Sequence, residues 1–240
     1  MVVGLRRVGK TVLLKQLIEH ILKNTDEKNI LFLTFDEVLL VKGVKLSHYI
    51  DEYLSQRKDS KGTLYLILDE IQYVKNWQHV LKRYYDTEPR AKFIISGSSS
   101  LFLKKKVTES LAGRIFEFVL DVLSFEEFME IRKVTPGIVD EYKKLSLDIS
   151  KPAKVQINEK DRVKNFLIRY GTEMTGYFDE YLTFGQFPEL LTMEGDMMKQ
   201  KYLSESVYKK TIEYGLGNRY RRKNNKEILA LFRGELLDLY

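Results

Sequence analysis

Hydrophobic positions along this 240-residue chain alternate between two rhythms. Val12, Leu13, Leu14, Leu17, Ile18, Ile21 and Leu22 recur at helical spacing, which predicts an amphipathic helix from about Lys10 to Lys23. Residues 29–35 read Asn-Ile-Leu-Phe-Leu-Thr-Phe, the near-continuous apolar run of a strand buried on both faces. Tyr49, Ile50, Tyr53 and Leu54 return to helical spacing behind Ser47, a candidate N-cap. After an Asp59-Ser60-Lys61-Gly62 turn, the apolar run 63–68 leads straight into Asp69-Glu70. Trp77, Val80, Leu81, Tyr84 and Tyr85 outline another helix that stops before Pro89. Residues 91–95 form a fourth strand and 114–120 a fifth. Strands separated by helices imply a parallel sheet with flanking crossover helices.

Beyond residue 120 the rhythm changes. Ser124-Phe125-Glu126-Glu127 has the form of a capping box opening a helix through Ile131, and Pro136-Gly137 reads as its break. The stretch that follows, to about Lys160, is polar and poorly periodic. From Val163 onward the pattern is mainly helical, interrupted at Gly185-Gln186-Phe187-Pro188. The expected organisation is an α/β unit over 1–122 and a mainly helical unit over 123–240, with a polar linker around 135–162. No internal repeat is visible.

The junction between the first strand and first helix carries the strongest chemistry. Gly4-Leu5-Arg6-Arg7-Val8-Gly9-Lys10-Thr11 matches G-x-x-x-x-G-K-[ST], a phosphate-binding loop. Its glycines let successive backbone N–H groups turn inward on phosphate. Lys10 can reach the β/γ-phosphates, Thr11 can hold Mg²⁺, and the following helix adds its positive end. Gly4, Arg7, Val8, Gly9, Lys10, Thr11 and Val12 are the expected nucleotide-binding positions. Only Met1, Val2 and Val3 precede the loop, so the first strand is short against the usual five or so residues.

Asp69 and Glu70, at the end of an apolar strand, have the form of a Walker B element. Asp69 would then serve Mg²⁺, and Glu70 would orient or deprotonate the attacking water. A strand ending in surface acids is the plainer alternative. Ser96 closes the fourth strand, where additional-strand ATPases place a polar side chain between γ-phosphate and water; it is the sensor candidate. Arg114, in Leu111-Ala112-Gly113-Arg114, is either an arginine finger for a neighbouring subunit or second domain, or an exposed helix-end or strand-start residue. Arg6 and Arg7 meet phosphate or base, or face solvent. Asp69-Glu70-Ile71-Gln72 is not D-x-x-G, and no N-K-x-D follows, so ATP is favoured over GTP.

Composition narrows the classes. A formal charge of +6 suits an anionic partner, but the excess sits in short runs, Lys104–Lys106 and Arg219–Lys226, rather than one stripe. Arg219, Arg221, Arg222, Lys223 and Lys226 around Tyr220 admit a nucleic-acid reading or a solvated helix end. With no cysteine, disulfides and thiol catalysis are excluded. His20, His48 and His79 are scattered, unlike metal ligands. No apolar run reaches the roughly eighteen residues of a membrane span, and no signal peptide is read. The expectation is a soluble, cytoplasmic protein.

Taken together, residues 4–17, the strand with Asp-Glu-Ile-Gln over 64–72, Ile-Ser-Gly-Ser-Ser-Ser over 95–100, Leu-Ala-Gly-Arg over 111–114 and 123–131 resemble the archaeal and bacterial AAA-type ATPases. The similar group is one often followed by a helical and winged-helix region of unknown function; Gly185-Gln186-Phe187-Pro188-Glu189 resembles its glycine-phenylalanine-proline motif. The resemblance implies an ASCE-type P-loop NTPase fold, with Lys10, Thr11, Asp69, Glu70 and Ser96 in the roles above. Members carry a segment and full strand before the loop and continue past the helical region, so the chain is expected to be truncated at both ends. Three readings follow. The first is a Mg-dependent ATPase acting as a switch for a protein partner or nucleic acid, with a homo-oligomer conceivable. The others are a catalytically impaired interaction module and a basic nucleic-acid binder.

Overall fold

The computed structural model describes residues 1–35, 45–97, 111, 113–149 and 157–208. It divides into two compact units, one comprising Met1–Asp121 and the segment from Tyr202 onward, the other Val122–Lys201.

In the first unit, β1 (Val2–Val3), β2 (Ile30–Thr34), β3 (Leu64–Asp69), β4 (Ala91–Gly97) and β5 (Phe118–Val119) form one sheet in the order β2-β3-β4-β1-β5. Every pairing is parallel. Helices α1 (Lys10–Leu22), α2 (Leu46–Ser55) and α3 (Trp77–Thr87) lie between the strands in sequence. The inserted strand, β4, separates the loop-bearing β1 from β3. Leu64, Leu66, Ile67 and Leu68 are fully buried, as a strand with apolar neighbours on both faces demands. Trp77, Leu81 and Tyr84 of α3 and Ile50 of α2 join the same core.

Although β1 has two residues, it is clamped from both sides: Val2 aligns with Ser96 and Phe118, and Val3 with Gly97 and Val119. The β5 N–H groups of Phe118 and Leu120 donate to the carbonyls of Met1 and Val3 at 2.8 and 2.7 Å. The fifth strand is shorter than the expected 114–120: its ladder covers Phe118 and Val119, opposite the two residues of β1. Helix α2 begins at Leu46 with Lys45 at its N-cap, so Ser47 lies inside the first turn instead of capping it.

The second unit is helical, with α4 (Phe125–Ile131), α5 (Pro136–Ile149), α6 (Ile157–Glu180) and α7 (Asp196–Tyr202), of which Tyr202 itself belongs to the first unit. The capping box forms: Ser124 Oγ accepts from the Glu127 N–H, and the Glu127 carboxylate accepts from the Ser124 N–H at 2.8 Å. The polar linker expected around 135–162 is largely helix. Pro136 stands at the first helical position, where its missing N–H would be unpaired anyway and its fixed φ suits the helix. Ile138, Val139 and Leu145 then pack with Phe125, Phe128, Phe166 and Met174. Gly185 ends a π-helical turn, Tyr181–Gly185, directly over Phe128; a Cβ there would fall 2.6 Å from the ring. The Gln186 carbonyl accepts from the Leu123 N–H at 2.9 Å, and the Tyr181 hydroxyl donates to the Leu123 carbonyl at the same distance.

No helix among the described residues is long and apolar enough to cross a membrane. The serine-rich turn 98–100, the lysine run 104–106 and the basic cluster 219–226 lie outside the described residues.

Candidate nucleotide site

The glycine-rich loop leaves β1 and enters α1 through two positions that need glycine for different reasons. At Gly4 a Cβ would lie 2.1 Å from the Leu120 carbonyl oxygen, so the approach of β5 forbids any side chain. Gly9, the N-cap of α1, has φ 99°, a left-handed conformation that L side chains rarely adopt, with open space around its missing Cβ. Arg7 is also left-handed, with φ 69°. Alternating backbone senses of this kind turn N–H groups toward a common centre.

Lys10 begins α1 and is 4% exposed. Its ammonium donates to the carbonyls of Leu5 at 2.7 Å and Gly4 at 3.3 Å, on the loop itself. Burial lowers its pKa from the ordinary lysine value, while the charges of Glu70 and Asp69 act in the opposite direction. Thr11, one residue on, donates its hydroxyl to Asp69 Oδ2 at 2.6 Å.

Asp69 is nearly inaccessible and joins three elements. Besides Thr11, the Ser96 hydroxyl at the end of β4 makes a close hydrogen bond to Oδ1, and the Glu70 N–H donates to the same oxygen at 3.1 Å. The Glu70 N–H also reaches Ser96 Oγ at 3.2 Å. Thr11, the adjacent pair Asp69-Glu70, and Ser96, drawn from three separate segments, are therefore linked through one carboxylate. Lys10 adjoins them through the charges just described.

The other expected site residues sit differently. Val8 is buried beneath the loop, whereas Val12 is exposed on the first turn of α1. Arg114 pairs with Asp86 of α3 at 3.4 Å, both half-exposed, so its guanidinium serves that helix and is not bonded to the Asp69 cluster. Arg6 donates to the Tyr73 hydroxyl at 2.8 Å, and Arg7 lies over the Tyr202 ring with 5.4 Å to its centroid.

Sequence reasoning passed over Gln72, Tyr73 and Tyr202. Gln72 donates from Nε2 to Glu70 Oε2 in a close contact. Its position two residues beyond the paired acids was the one available signal, whereas nothing along the chain marks Tyr202 as a partner of Arg7.

A parallel sheet with a strand inserted beside the loop-bearing one, a glycine-rich loop into a helix, and a buried aspartate at the tip of the next-but-one strand define an α/β P-loop NTPase. A family model described as an AAA domain matches residues 1–129. The chain belongs to this family of AAA-type P-loop ATPases.

Two Methanocaldococcus jannaschii proteins are similar. Uncharacterized protein MJ1544 is 28% identical over 247 aligned positions, covering 99% of this chain and 46% of that protein. Uncharacterized protein MJ1637 is 31% identical over 132 positions, covering 54% of this chain and 27% of that one. The chain thus spans less than half the length of these curated relatives. Among solved structures, C. elegans PCH-2 aligns at a TM-score of 0.42 with 14% identity, over 65% of this chain and 42% of that one. The Aeropyrum pernix ORC1 protein in complex with DNA aligns at 0.39 with 15% identity, over 85% and 59%.

Proposed function

We propose that the chain is a Mg-dependent ATPase in which the nucleotide state of the α/β unit is passed through the helical unit to a protein partner. The observation that supports this reading is the single buried carboxylate of Asp69 holding Thr11 of the glycine-rich loop on one oxygen and Ser96 of β4 on the other. An alternative surface-acid reading of Asp69 has no use for such burial.

The donors suit the groups the family uses. The open space at Gly9 gives phosphate oxygens room against backbone N–H groups, with the start of α1 adding favourable charge. Thr11 and Asp69 offer the hard oxygens that Mg²⁺ prefers, and that ion would supply charge neutralisation to the phosphates. Lys10 moves its ammonium from the Gly4 and Leu5 carbonyls onto phosphate oxygens, exchanging neutral acceptors for anionic ones. Glu70 takes a proton from water attacking the γ-phosphorus while the bond to the β-γ bridging oxygen breaks, releasing ADP and phosphate. Ser96 donates its hydroxyl to Asp69 and accepts from the Glu70 N–H, so it stands at the backbone of the residue that serves as base. Arg114 enters only as a residue offered to a second copy, its pair with Asp86 being exposed enough to open.

The test compares wild type with Glu70→Gln and Lys10→Ala in Mg-ATP. Glu70→Gln is expected to keep ATP bound while phosphate release falls by roughly 100-fold or more. Lys10→Ala is expected to lose the rise in melting temperature that bound ligand gives. Equal phosphate release from wild type and Glu70→Gln would sink the mechanism.

A further inference from the structure

We propose that Gln72 is a positioning residue for ATP hydrolysis: its side-chain amide holds one carboxylate oxygen of Glu70 and so fixes where the other can take a proton. The inference rests on the ATPase reading above. It starts from the way the chain leaves β3. Glu70 is left-handed, with φ 55° and ψ 41°, a conformation that a residue with a side chain adopts only under constraint. The bend turns the Glu70 N–H back onto Asp69 Oδ1 and Ser96 Oγ. It also takes the Glu70 side chain out of the alternating register that continuation of the strand would impose.

The constraint continues in the next residues. Ile71–Tyr73 form a single 3-10 turn whose first side chain, Ile71, is fully buried among Leu66, Leu68 and Trp77 in the core of the sheet. With Ile71 as the anchor, Gln72 donates to Glu70 Oε2 and Tyr73 accepts from Arg6 of the glycine-rich loop at 2.8 Å. One short turn thus grips both the base and the loop that would carry the phosphates. An amide N–H on a carboxylate is a charge-assisted bond, stronger than its neutral counterpart. A glutamate left to itself has three side-chain torsions to settle before it can act. Fixing them beforehand is how a scaffold avoids reorganisation during the chemical step.

Gln72 is only partly buried, so its replacement need not disturb the core. Two variants separate orientation from packing. Gln72→Met keeps the length of the side chain and removes the donor. Gln72→Glu keeps its shape and sets a second carboxylate against Glu70. For the full chain, steady-state ATP hydrolysis, Mg-ATP affinity and melting temperature are measured together. In Gln72→Met, kcat is expected to fall roughly 10- to 100-fold with KM and the ATP-induced melting shift retained. Gln72→Glu is expected to fall further, an order that loss of packing would not produce. A kcat for Gln72→Met within about twofold of wild type, or above it, overturns the proposal. So does a fall in kcat accompanied by an equal loss of ATP affinity or by a lowered melting temperature in both variants. Wild type without turnover removes the ATPase reading and this inference with it. Wild type with turnover that Glu70→Gln abolishes and Gln72→Met spares removes this inference alone.

Discussion

Ser96 and Asp69, at the ends of neighbouring parallel strands β4 and β3, share a buried hydrogen bond in which the serine hydroxyl donates to Oδ1. With Oδ2 already taken by Thr11, every position of the aspartate is specified by another element. Ser96→Ala frees one side of it and leaves Oδ1 the Glu70 N–H at 3.1 Å. Stability should drop by about 1 kcal/mol, the usual worth of one such bond. ATP turnover should fall at least tenfold while Mg-ATP still raises the melting temperature. Phosphate-release kinetics beside a melting scan check both.

Asp69→Asn asks more of the same cluster, since the amide replaces an acceptor facing the Thr11 or the Ser96 hydroxyl with a donor. The expected outcome is loss of the Mg²⁺ dependence of ATP binding, with ATP affinity equal in magnesium and in chelator. Isothermal titration in both conditions gives the answer.

The two loop glycines should fail in different ways. Gly4→Ala drives a methyl group into the Leu120 carbonyl and should destabilise the first unit by about 3 kcal/mol, the upper end of overpacking costs. Gly9→Ala meets no neighbour and suffers only its left-handed backbone, about 1–2 kcal/mol. Its larger loss should be of ATP affinity, because the methyl group enters space a phosphate would use. Urea unfolding and nucleotide titration of the pair separate the effects.

In the helical unit, Gly185→Ala should lower stability by about 2 kcal/mol through its clash with the fully buried Phe128 ring. Phe128→Leu should restore part of that loss, a coupling measurable in a double-mutant cycle.

Alkaline pH offers a separate test. Burial, and then the hydrogen bond to Asp51 at 2.6 Å, push the Tyr84 phenol from its ordinary 10.0 up to about 12. The folded chain therefore favours the protonated phenol. That stability is fully present below pH 10.0 and is lost as pH rises through about 12. Wild type should lose urea resistance across this window more steeply than Tyr84→Phe, whose own deficit of about 1 kcal/mol should appear already at neutral pH.

Much of the α/β unit could be read along the chain because its signals are local. The strand before Asp69 must be largely apolar to cross a core, and the loop carries glycine where β5 approaches and at the left-handed start of α1. The network around Asp69 was legible as residue types, while its bonding was not. Gln72 and Tyr73 lie on a turn with no periodicity, and Tyr202 meets Arg7 from far along the chain. Residues 135–162 read as a linker because they are polar and follow Pro136-Gly137, yet 136–149 and 157–162 are helical. Proline interrupts a helix from within but opens one readily, and the spacing of Ile138, Val139, Tyr142 and Leu145 carried the helical signal beneath the polar residues.

The clamped position of β1 also sets an order of events during synthesis. Its two residues are made before their neighbours: Val2 aligns with Ser96 and Phe118, so its place between β4 and β5 exists only once Phe118 has followed. The loop that follows β1 has no seat in the sheet before then. A nucleotide site built on that loop therefore waits on β5, and ATP added to a stalled nascent chain should steady only those polypeptides that extend past Leu120.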